Sequence, residues 1–488
     1  MTAAGARTGF RPQDAVEQAL AAARSDDCVV IAEETSAANL RWARNTLTTN
    51  GVSDSRRLTV IAISRGAGGT RAGVVSRAGA GATQIREIVA EAEEAAAQSP
   101  PAEDAQALPD PAAAAFGLDN DPAPAAAAFG PNNGPGWDDP PARTEIAVLR
   151  GFAGALGEAF GAAASGARQL YGYAEHSTTS LLLGTSSGLR LRHDQPAGKV
   201  ELNAKSADRA RSAWAGTATR DFADVDVAGL EAGLARRLAW AQRRVELPAG
   251  RYETLLPPTA AADLLIYLYW SAGAKDAVDG RTVFSRPGGG TRVGDRLARL
   301  PVTLRSDPGA DGLQCPPFVI AYASNSRSSV FDNGLPLRPT DWIRDGELAA
   351  LVQTRYSAGL SGLGVTPAIG NLILDAPGAA GSLDDLIAGT GRGLLLTSLW
   401  YIREVDPQTL LLTGLTRDGV YLVEHGEITG AVNNFRFNES PVTMLDRVTE
   451  AGATVPALPR EWSDYFTRCA MPPLRVDGFN MSSVSQAS

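Results

Sequence analysis

The segment Gly414–Ser440, GLTRDGVYLVEHGEITGAVNNFRFNES, carries the strongest structural signal in the chain. It predicts a β-hairpin, in which Val420–Val423 is a short β-prone run, Glu424–Gly426 forms the turn and Glu427–Val432 begins the returning strand. The second strand leads into a block of polar side chains within seven residues, namely Asn433, Asn434, Arg436, Asn438 and Glu439. The segment therefore predicts a β-rich C-terminal region that ends in a polar surface or a polar network.

The length and composition are typical of a soluble globular protein with more than one domain. The chain has 488 residues, of which 44% are hydrophobic and 20% are charged, and this length favours about two to four domains. The net charge is −9, and no run of Lys or Arg is present. Because a nucleic-acid-binding protein carries a basic patch or stripe, we expect no nucleic-acid partner.

The cysteines and the apolar segments bear on localisation. Cys28, Cys315 and Cys469 are widely spaced and form neither a disulfide framework nor a CxxC metal motif, which fits a reducing cytoplasm. The N-terminus lacks the apolar stretch of a secretory signal. The longest apolar runs, near Leu264–Trp270 and Leu394–Trp400, are far shorter than the about 20 residues that span a membrane. We expect a cytoplasmic protein without a membrane partner.

Residues 10–98 predict an N-terminal α+β domain. Asp14–Arg24 has apolar residues on one helical face, and Thr83 can cap a second helix. The order α-β-β-β-β-α indicates helices packed on one face of a mainly antiparallel sheet. The four strands are expected at Cys28–Glu33, Asn39–Arg44, Leu58–Ser64 and Thr70–Ser76.

Three further regions complete the predicted organisation. Residues 99–142 are rich in Pro, Ala, Asp and Gly and predict a linker or a mobile loop. Residues 143–244 predict a middle α+β region, and residues 245–488 predict a larger β-rich C-terminal domain, so the fold class is α+β. Helices are expected to interrupt the last region near Pro258–Gly273, Leu348–Ser357 and Ser382–Ala388.

The histidines limit the metal sites that the chain can form. Only His176, His193 and His425 are present, and no two of them are close in sequence, so HExxH and related zinc motifs are absent. A three-histidine site assembled from distant segments stays open, although each histidine is better explained as a polar residue at a surface or a strand end. The helix predicted at 258–273 contains no His, Cys or Glu, and we expect it to pack in the core.

Several motifs together resemble the TldD/PmbA family, which is linked to metal-dependent peptide proteolysis. Arg211–Phe222, a predicted loop, resembles the family pattern R-S-x-W-x-G…R-D-F, and Leu247–Tyr252 with Leu255–Pro258 resembles the lead-in to the family's central helix. Thr416–Gly419 and Asn433–Ser440 resemble the family's C-terminal hairpin region. Their order and spacing extend the resemblance over most of the chain, and the resemblance implies the family's α+β fold.

The resemblance implies the non-catalytic type within this family. In the catalytic TldD type the helix equivalent to 258–273 carries an HExxxH motif, whose histidines bind the metal and whose Glu can activate water. The corresponding positions here are Ile266, Tyr267 and Ser271, which do not provide that ligand set or a carboxylate base. Cys469 lies late in the chain, as does a metal-binding cysteine of TldD, but its neighbours resemble the PmbA/TldE ending. We therefore interpret Cys469 as structural and expect no catalytic or metal-binding residue in this chain.

The resemblance further implies a metal-free TldE/PmbA-like subunit that pairs with a TldD-like zinc metalloprotease. The pair would enclose a chamber in which unfolded peptides or peptide precursors are cleaved. No cofactor is expected in this chain, and zinc is expected in the partner. The alternatives are a stand-alone peptide-binding or chaperone-like module and a hydrolase with an unrecognised site.

Six polar residues near the hairpin are candidates for a peptide groove or a partner interface. A β-rich wall accepts an extended peptide by backbone pairing, and polar side chains would line it. We favour the alternative that these residues form a buried hydrogen-bond network that fixes the hairpin. The six are Arg417, Asp418, Asn433, Asn434, Arg436 and Glu439.

Overall fold

The structure, a computed structural model, describes residues 10–111 and 136–485. The described chain has mixed α+β architecture with three β-sheets, which confirms the predicted fold class. The elements of the N-terminal half are α1 (Pro12–Ala22), β1 (Asp27–Ala43), β2 (Thr46–Gly66), β3 (Gly69–Ala78), α2 (Ile85–Gln98), α3 (Arg150–Ser165), β4 (Arg168–Thr185), β5 (Arg190–Ser206), β6 (Ser212–Thr219) and α4 (Val227–Trp240).

The C-terminal half has shorter strands and helices. Its elements are β7 (Arg244–Val245), β8 (Gly250–Leu256), α5 (Pro258–Trp270), α6 (Ala274–Val278), β9 (Thr303–Ser306), β10 (Thr340–Arg344), β11 (Glu347–Leu348), α7 (Arg355–Ser361), β12 (Leu372–Asp375), α8 (Leu383–Ala388), β13 (Arg392–Leu396), β14 (Leu399–Asp406), β15 (Leu411–Thr416), β16 (Val420–Glu424), β17 (Glu427–Val432), β18 (Phe435–Glu439), α9 (Pro441–Asp446), β19 (Val448–Ala451), β20 (Val455–Ala457), β21 (Cys469–Met471) and β22 (Leu474–Val484).

The first sheet has the order β3-β2-β1-β4-β5-β6, and every neighbouring pair is antiparallel. Strand β1 pairs with β4 along most of its length, so segments 10–98 and 143–244, which the sequence analysis separates, share this sheet. The predicted strands Cys28–Glu33 and Asn39–Arg44 are the two ends of β1. The residues between them, such as Ser36 and Ala38, have weak strand propensity, and pairing on both sides holds them extended.

The side chains of β1 alternate between two buried faces. Val30 lies in a cluster with α1 and α2, and Leu40, farther along on the same face, lies in a cluster with α3 and α4. Val29 and Ile31 point to the opposite face, where they pack against Phe331 of the C-terminal half. The helices therefore cover one face of the first sheet, as the sequence predicts, and the C-terminal half covers part of the other.

One described helical segment, Ile146–Ser165, is long and apolar enough by composition to cross a membrane. It includes α3, whose side chains Phe152, Leu156 and Ala159 are buried in the cluster between α4 and the first sheet. This packing makes the segment part of the helical layer.

The predicted linker, 99–142, is described only at its ends, and residues 112–135 lie outside the described ranges. Leu108 is buried against the first sheet, and Trp137 is buried beside α1 and α2. The Gln13 side-chain amide of α1 donates a hydrogen bond to the Trp137 carbonyl. Both described ends thus pack against the N-terminal half.

The second sheet has the order β11-β10-β9-β12-β21-β20, and the third has the order β14-β15-β18-β22-β8-β13-β16-β17-β7, with β19 paired to β22. Helix α5 belongs to the largest buried cluster, together with residues of both sheets. Leu264, Leu265 and Ile266 of α5 are completely buried, so this helix packs in the core as expected.

The predicted hairpin is present as β16 and β17. Glu424 pairs with Glu427, which leaves His425 and Gly426 as a two-residue turn with φ of 54° and 82°. Positive φ at both positions is the geometry of a type I′ turn. A Cβ atom at residue 426 would lie 2.7 Å from the Ala388 carbonyl oxygen, so the turn requires glycine there.

Three local predictions are wrong. Thr83 does not cap α2, because it lies within a 3₁₀ turn, Ala82–Gln84, and Gln84 is the N-cap residue. The expected helix over Leu348–Ser357 is extended through Val352, because the Val352 amide donates to the Ala272 carbonyl and its carbonyl accepts from the Ala274 amide. Helix α7 begins only at Arg355, after the N-cap Thr354. The expected loop over Arg211–Phe222 contains strand β6, which forms the edge of the first sheet beside β5.

Strand β14 is an edge strand of the third sheet. The Glu461 carboxylate accepts hydrogen bonds from the Tyr401 amide at 2.9 Å and from the Ile402 amide at 3.1 Å. The Arg403 guanidinium donates to the same carboxylate. Two backbone donors of this edge therefore have an acceptor within the chain.

Candidate functional site

A cavity of about 910 Å³ lies between the first and second sheets. Strands β5 and β6 form one wall, and β9, β12, β20 and β21 contribute to the other. Strands β6 and β20 are the end strands of their sheets. Edge strands present backbone N–H and C=O groups that can pair with another extended chain, and these two strands reach the cavity through Ala218, Thr219 and Pro456.

The acidic side chains of this cavity are engaged in local contacts. Asp375 pairs with Arg305 at 2.6 Å, and Asp224 accepts a hydrogen bond from the Thr219 hydroxyl. Asp307 accepts a hydrogen bond from the Gly309 amide at 2.8 Å. These carboxylates stabilise the walls of the cavity.

Arg468 contributes a half-buried positive charge to the cavity lining. Its backbone is fixed next to β21, where its carbonyl accepts a hydrogen bond from the Leu372 amide, and its Nε atom donates to the Gly370 carbonyl at 3.1 Å. The side chain is half-buried, and burial lowers its pKa. Within the ranges 10–111 and 136–485 it makes no ion pair, so a half-buried positive charge faces the cavity uncompensated.

Arg468 also lines two neighbouring pockets. One, of about 290 Å³, is bordered by Lys199 and Asp464. The other, of about 470 Å³, is mainly apolar. Its apolar and aromatic lining includes Leu181, Tyr269, Trp270, Phe318, Ile320, Ile369 and Phe466. Arg468 therefore stands where three pockets meet.

The three histidines do not lie together. His193 lines the cavity and contacts Gln195 at 3.0 Å, and burial, only partly offset by this contact, lowers its pKa. His176 is buried, with its ring nitrogens 2.7 Å from the Thr144 hydroxyl and from the Arg220 carbonyl. The strand register places His176 opposite Gly198 and His193 opposite Leu181, several residues apart along the sheet, and His425 lies in the distant hairpin turn.

The residues of α5 do not fit a catalytic zinc ion, which typically needs three protein ligands. Ile266 is completely buried, and the Ser271 hydroxyl donates a hydrogen bond to the Tyr267 carbonyl at 2.9 Å. The Tyr267 ring packs 5.7 Å from the Trp462 ring. Among the residues that the structure describes, no three His, Cys, Asp or Glu side chains form a group suited to a metal.

The sequence analysis missed Asp263, the one carboxylate in α5. It is completely buried, and its Oδ1 accepts a hydrogen bond from the Glu461 amide at 3.0 Å. Burial, reinforced by the nearby Glu461 charge, raises its pKa well above the usual range. Cys469 is also completely buried, donates to the Ala457 carbonyl, and has a pKa that burial raises. Both groups are therefore held in structural contacts within the core.

The six candidate residues near the hairpin do not form one cluster. Asp418 accepts hydrogen bonds from Ser212 of β6 and from Arg460. Burial alone raises the pKa of Asp418, but the Arg460 charge and these hydrogen bonds outweigh it and the pKa is lowered. Glu439 instead accepts hydrogen bonds from Arg447 at 2.5 Å and from the Asn480 amide at 2.8 Å, and its pKa is raised by burial.

The other four candidates differ in exposure. Asn433 accepts a hydrogen bond from the Leu247 amide at 2.7 Å, and Asn434 accepts one from the Thr416 hydroxyl. The side chains of Arg417 and Arg436 are exposed. Asp418, Asn433, Asn434 and Glu439 are thus tied into the fold, whereas the two arginines are accessible.

No sequence motif marks the cavity, because its walls come from segments far apart in the chain. Residues of β5, the loop after β9 and the segment before β21 meet only in the folded molecule. Arg468 lies in the segment FTRCAMPPL, and nothing in this local sequence predicts that its charge lacks an ion-pair partner. Only the three-dimensional arrangement reveals this site.

Comparison with known proteins gives one family match and several structural matches. Residues 249–483 match the family described as PmbA/TldA metallopeptidase C-terminal domain. No curated protein matches the chain. TldE from Thermococcus kodakarensis has a similar structure, with a TM-score of 0.74 and 16% sequence identity, over 95% of this chain and 98% of that chain.

Two further solved structures, each described as a candidate modulator of DNA gyrase, are also similar. The protein from Thermotoga maritima has a TM-score of 0.72 and 14% identity, over 96% of this chain and 99% of that chain. The protein from Bacteroides thetaiotaomicron has a TM-score of 0.72 and 15% identity, over 97% of this chain and 98% of that chain. The fold of the chain is thus that of these proteins over nearly its whole length.

Proposed function

Since this chain belongs to the PmbA/TldD family through its C-terminal domain, we propose that it is a non-catalytic, TldE/PmbA-like subunit of a metallopeptidase. In this proposal it pairs with a TldD-like zinc metalloprotease, and the two chains enclose a chamber in which unfolded peptides or peptide precursors are cleaved. The chain contributes a peptide-binding wall and works in the cytoplasm, and the partner contributes zinc.

The observation that carries the proposal is the composition and core packing of helix α5. The positions that correspond to the catalytic motif are Ile266, Tyr267 and Ser271, which lack its histidines and glutamate, and the helix is packed into the core. Its only carboxyl group, Asp263, is buried and already accepts a backbone hydrogen bond. A helix in this state supplies neither a ligand set nor a base for metal-dependent hydrolysis.

The cavity between the first and second sheets supports a role in peptide binding. Its walls include the edge strands β6 and β20, and backbone pairing at such edges recognises an extended chain without regard to its sequence. A volume of about 910 Å³ is at the upper end of the range for ligand-binding pockets. This feature also supports the alternative of a stand-alone peptide-binding module, which lacks only the proteolytic partner.

Co-expression with a TldD-like protein that carries HExxxH tests the proposal. We expect a stable 1:1 assembly that cleaves an unfolded peptide substrate, whereas this chain alone contains no stoichiometric zinc and cleaves nothing. The matched control is the same partner with glutamine in place of the motif glutamate, which should assemble without cleaving. Zinc and peptidase activity in the isolated chain would refute the proposal, and peptide binding without assembly would favour the stand-alone module.

A further inference from the structure

We infer that Arg468 binds the C-terminal carboxylate of a peptide whose last residue has a large apolar side chain. This inference deepens the proposed function and rests on it, because it specifies which end of a peptide the chain holds and which terminal residue it prefers. The inference starts from the position of Arg468 at the junction of the 910 Å³ cavity and the 470 Å³ apolar pocket.

The first argument is charge. A half-buried guanidinium without a counter-ion is costly, and an anionic ligand removes this cost. The Nε atom of Arg468 already donates to Gly370, but its Nη1 and Nη2 atoms make no hydrogen bond within 10–111 and 136–485. These two nitrogens suit a carboxylate, which arginine binds with two parallel hydrogen bonds.

The second argument is that the acidic residues of the cavity do not compete for Arg468. Asp375 is paired with Arg305, and Asp307 caps the turn at Gly309. Asp224 accepts from Thr219. Asp194 pairs with Arg192 at 3.0 Å, and Asp311 accepts a hydrogen bond from Gln314 at 3.4 Å. Each of these carboxylates has a partner of its own, so the Arg468 charge stays available to a ligand.

The third argument is the neighbouring apolar pocket. Its volume of about 470 Å³ lies within the range of small-molecule pockets and is ample for one phenylalanine or leucine side chain. Phe318 and Phe466 of its lining are buried, and Ile320 and Trp270 are half-buried. Burial of a large apolar side chain in such a pocket favours binding, because it removes apolar surface from water.

The fourth argument is the geometry of a peptide terminus. The carboxylate, the side chain and the rest of the peptide all diverge from the last Cα atom. The site offers a matching arrangement, with Arg468 for the carboxylate, the apolar pocket for the side chain, and the larger cavity with β6 and β20 for the preceding residues. An internal Asp or Glu carries its carboxylate on the side chain itself and cannot fill the apolar pocket from the same Cα atom.

Calorimetric titration of the full chain with four peptides tests the inference. The probes are acetyl-Ala-Ala-Phe with a free carboxylate, its C-terminal amide, acetyl-Ala-Ala-Gly with a free carboxylate, and the internal-acid peptide acetyl-Ala-Glu-Phe amide. We expect the first to bind at least about tenfold more tightly than each of the others. Equal binding of the acid and its amide would overturn the inference, and equal binding of the internal-acid peptide would overturn its assignment to a C-terminus.

Two variants and a control test which residues produce the preference for a free carboxylate and for a terminal phenylalanine. Arg468→Met should abolish the preference for the acid over its amide, whereas Arg299→Met, at an exposed ion pair with Asp446, should leave it unchanged. Ile320→Trp should fill the apolar pocket and selectively lower the affinity for acetyl-Ala-Ala-Phe with a free carboxylate. The affinity for this peptide should fall to that for acetyl-Ala-Ala-Gly. If Arg468→Met fails to fold, the Ile320→Trp variant still decides, because an unchanged preference for Phe over Gly contradicts the inference.

The outcome is separable from that of the proposed function. Binding is measured on this chain alone, whereas assembly and cleavage are measured with the TldD-like partner. A pair that assembles and cleaves while the chain ignores the C-terminal carboxylate refutes the inference and leaves the proposed function intact. Carboxylate-dependent binding by a chain that never assembles with the partner refutes the proposed function instead.

Discussion

At the scale of single residues, Asp263 gives a pH-dependent prediction. Burial raises its pKa in the folded chain, whereas the unfolded value is about 4. The folded state therefore binds more protons than the unfolded state between these two pKa values, and stability falls as the pH rises through this window. Asp263→Asn removes the titration and keeps the acceptor for the Glu461 amide. We expect the melting temperature of Asp263→Asn, relative to wild type, to increase from pH 4 upwards.

The reference for this prediction is a substitution that also removes the acceptor. Asp263→Leu leaves the Glu461 amide without its acceptor and should be about 1–3 kcal/mol less stable than Asp263→Asn at every pH, because neither variant has an acid at this position. A pH-independent difference between Asp263→Asn and wild type would show that Asp263 is ionised in the folded chain. The measurement is thermal unfolding followed by circular dichroism across the pH series.

At the scale of secondary-structure elements, Gly73 sets the distance between β3 and α2. A Cβ atom at residue 73 would lie 2.2 Å from the Ala92 carbonyl oxygen and 2.1 Å from the Ala96 amide nitrogen. Gly73→Ala therefore forces the helix away from the sheet and should cost about 1–3 kcal/mol in the free energy of unfolding. The control is Gly51→Ala in β2, where no atom lies within 4 Å. Denaturant titration that shows equal stability for both variants would contradict this packing argument.

The elements also show what a sequence can predict. The β16–β17 hairpin follows from local chemistry, because the β-prone run Val420–Val423 and the turn at His425–Gly426 are adjacent in the chain. The extended conformation of the middle of β1 and of the edge strand β6 does not follow from local chemistry. Pairing with neighbouring strands keeps these segments extended. The same limit applies to the candidate site, since the isolation of Arg468 depends on where distant carboxylates find their own partners.

At the scale of the whole molecule, Arg460 connects the two halves of the chain. Its guanidinium lies between the rings of Trp214 in β6 and Trp400 in β14, at 5.2 and 5.3 Å from their centroids. It also pairs with Asp418 at 2.6 Å, which in turn accepts from Ser212. One side chain thus joins the first sheet to the third sheet by stacking and by charge.

Loss of the Arg460 contacts should weaken the association between the first and third sheets without unfolding either half of the chain. Arg460→Lys keeps the charge but loses the planar stacking and the fork of donors, and we expect a cost of about 1–3 kcal/mol. Unfolding followed by tryptophan fluorescence should then precede the main transition seen by circular dichroism. Arg299→Met serves again as the control, and coincident transitions in Arg460→Lys would argue against a weakened joint.

The carboxylate of Glu461 at strand β14 has a consequence for strand pairing between molecules. The strand exposes Tyr401 and Val405, which are 55% and 56% accessible, and such an apolar edge invites strand pairing between molecules. The Glu461 carboxylate accepts hydrogen bonds from the Tyr401 and Ile402 amides, so these two donors are not available to another chain. The side chain therefore leaves two fewer backbone donors for a second strand that approaches this edge.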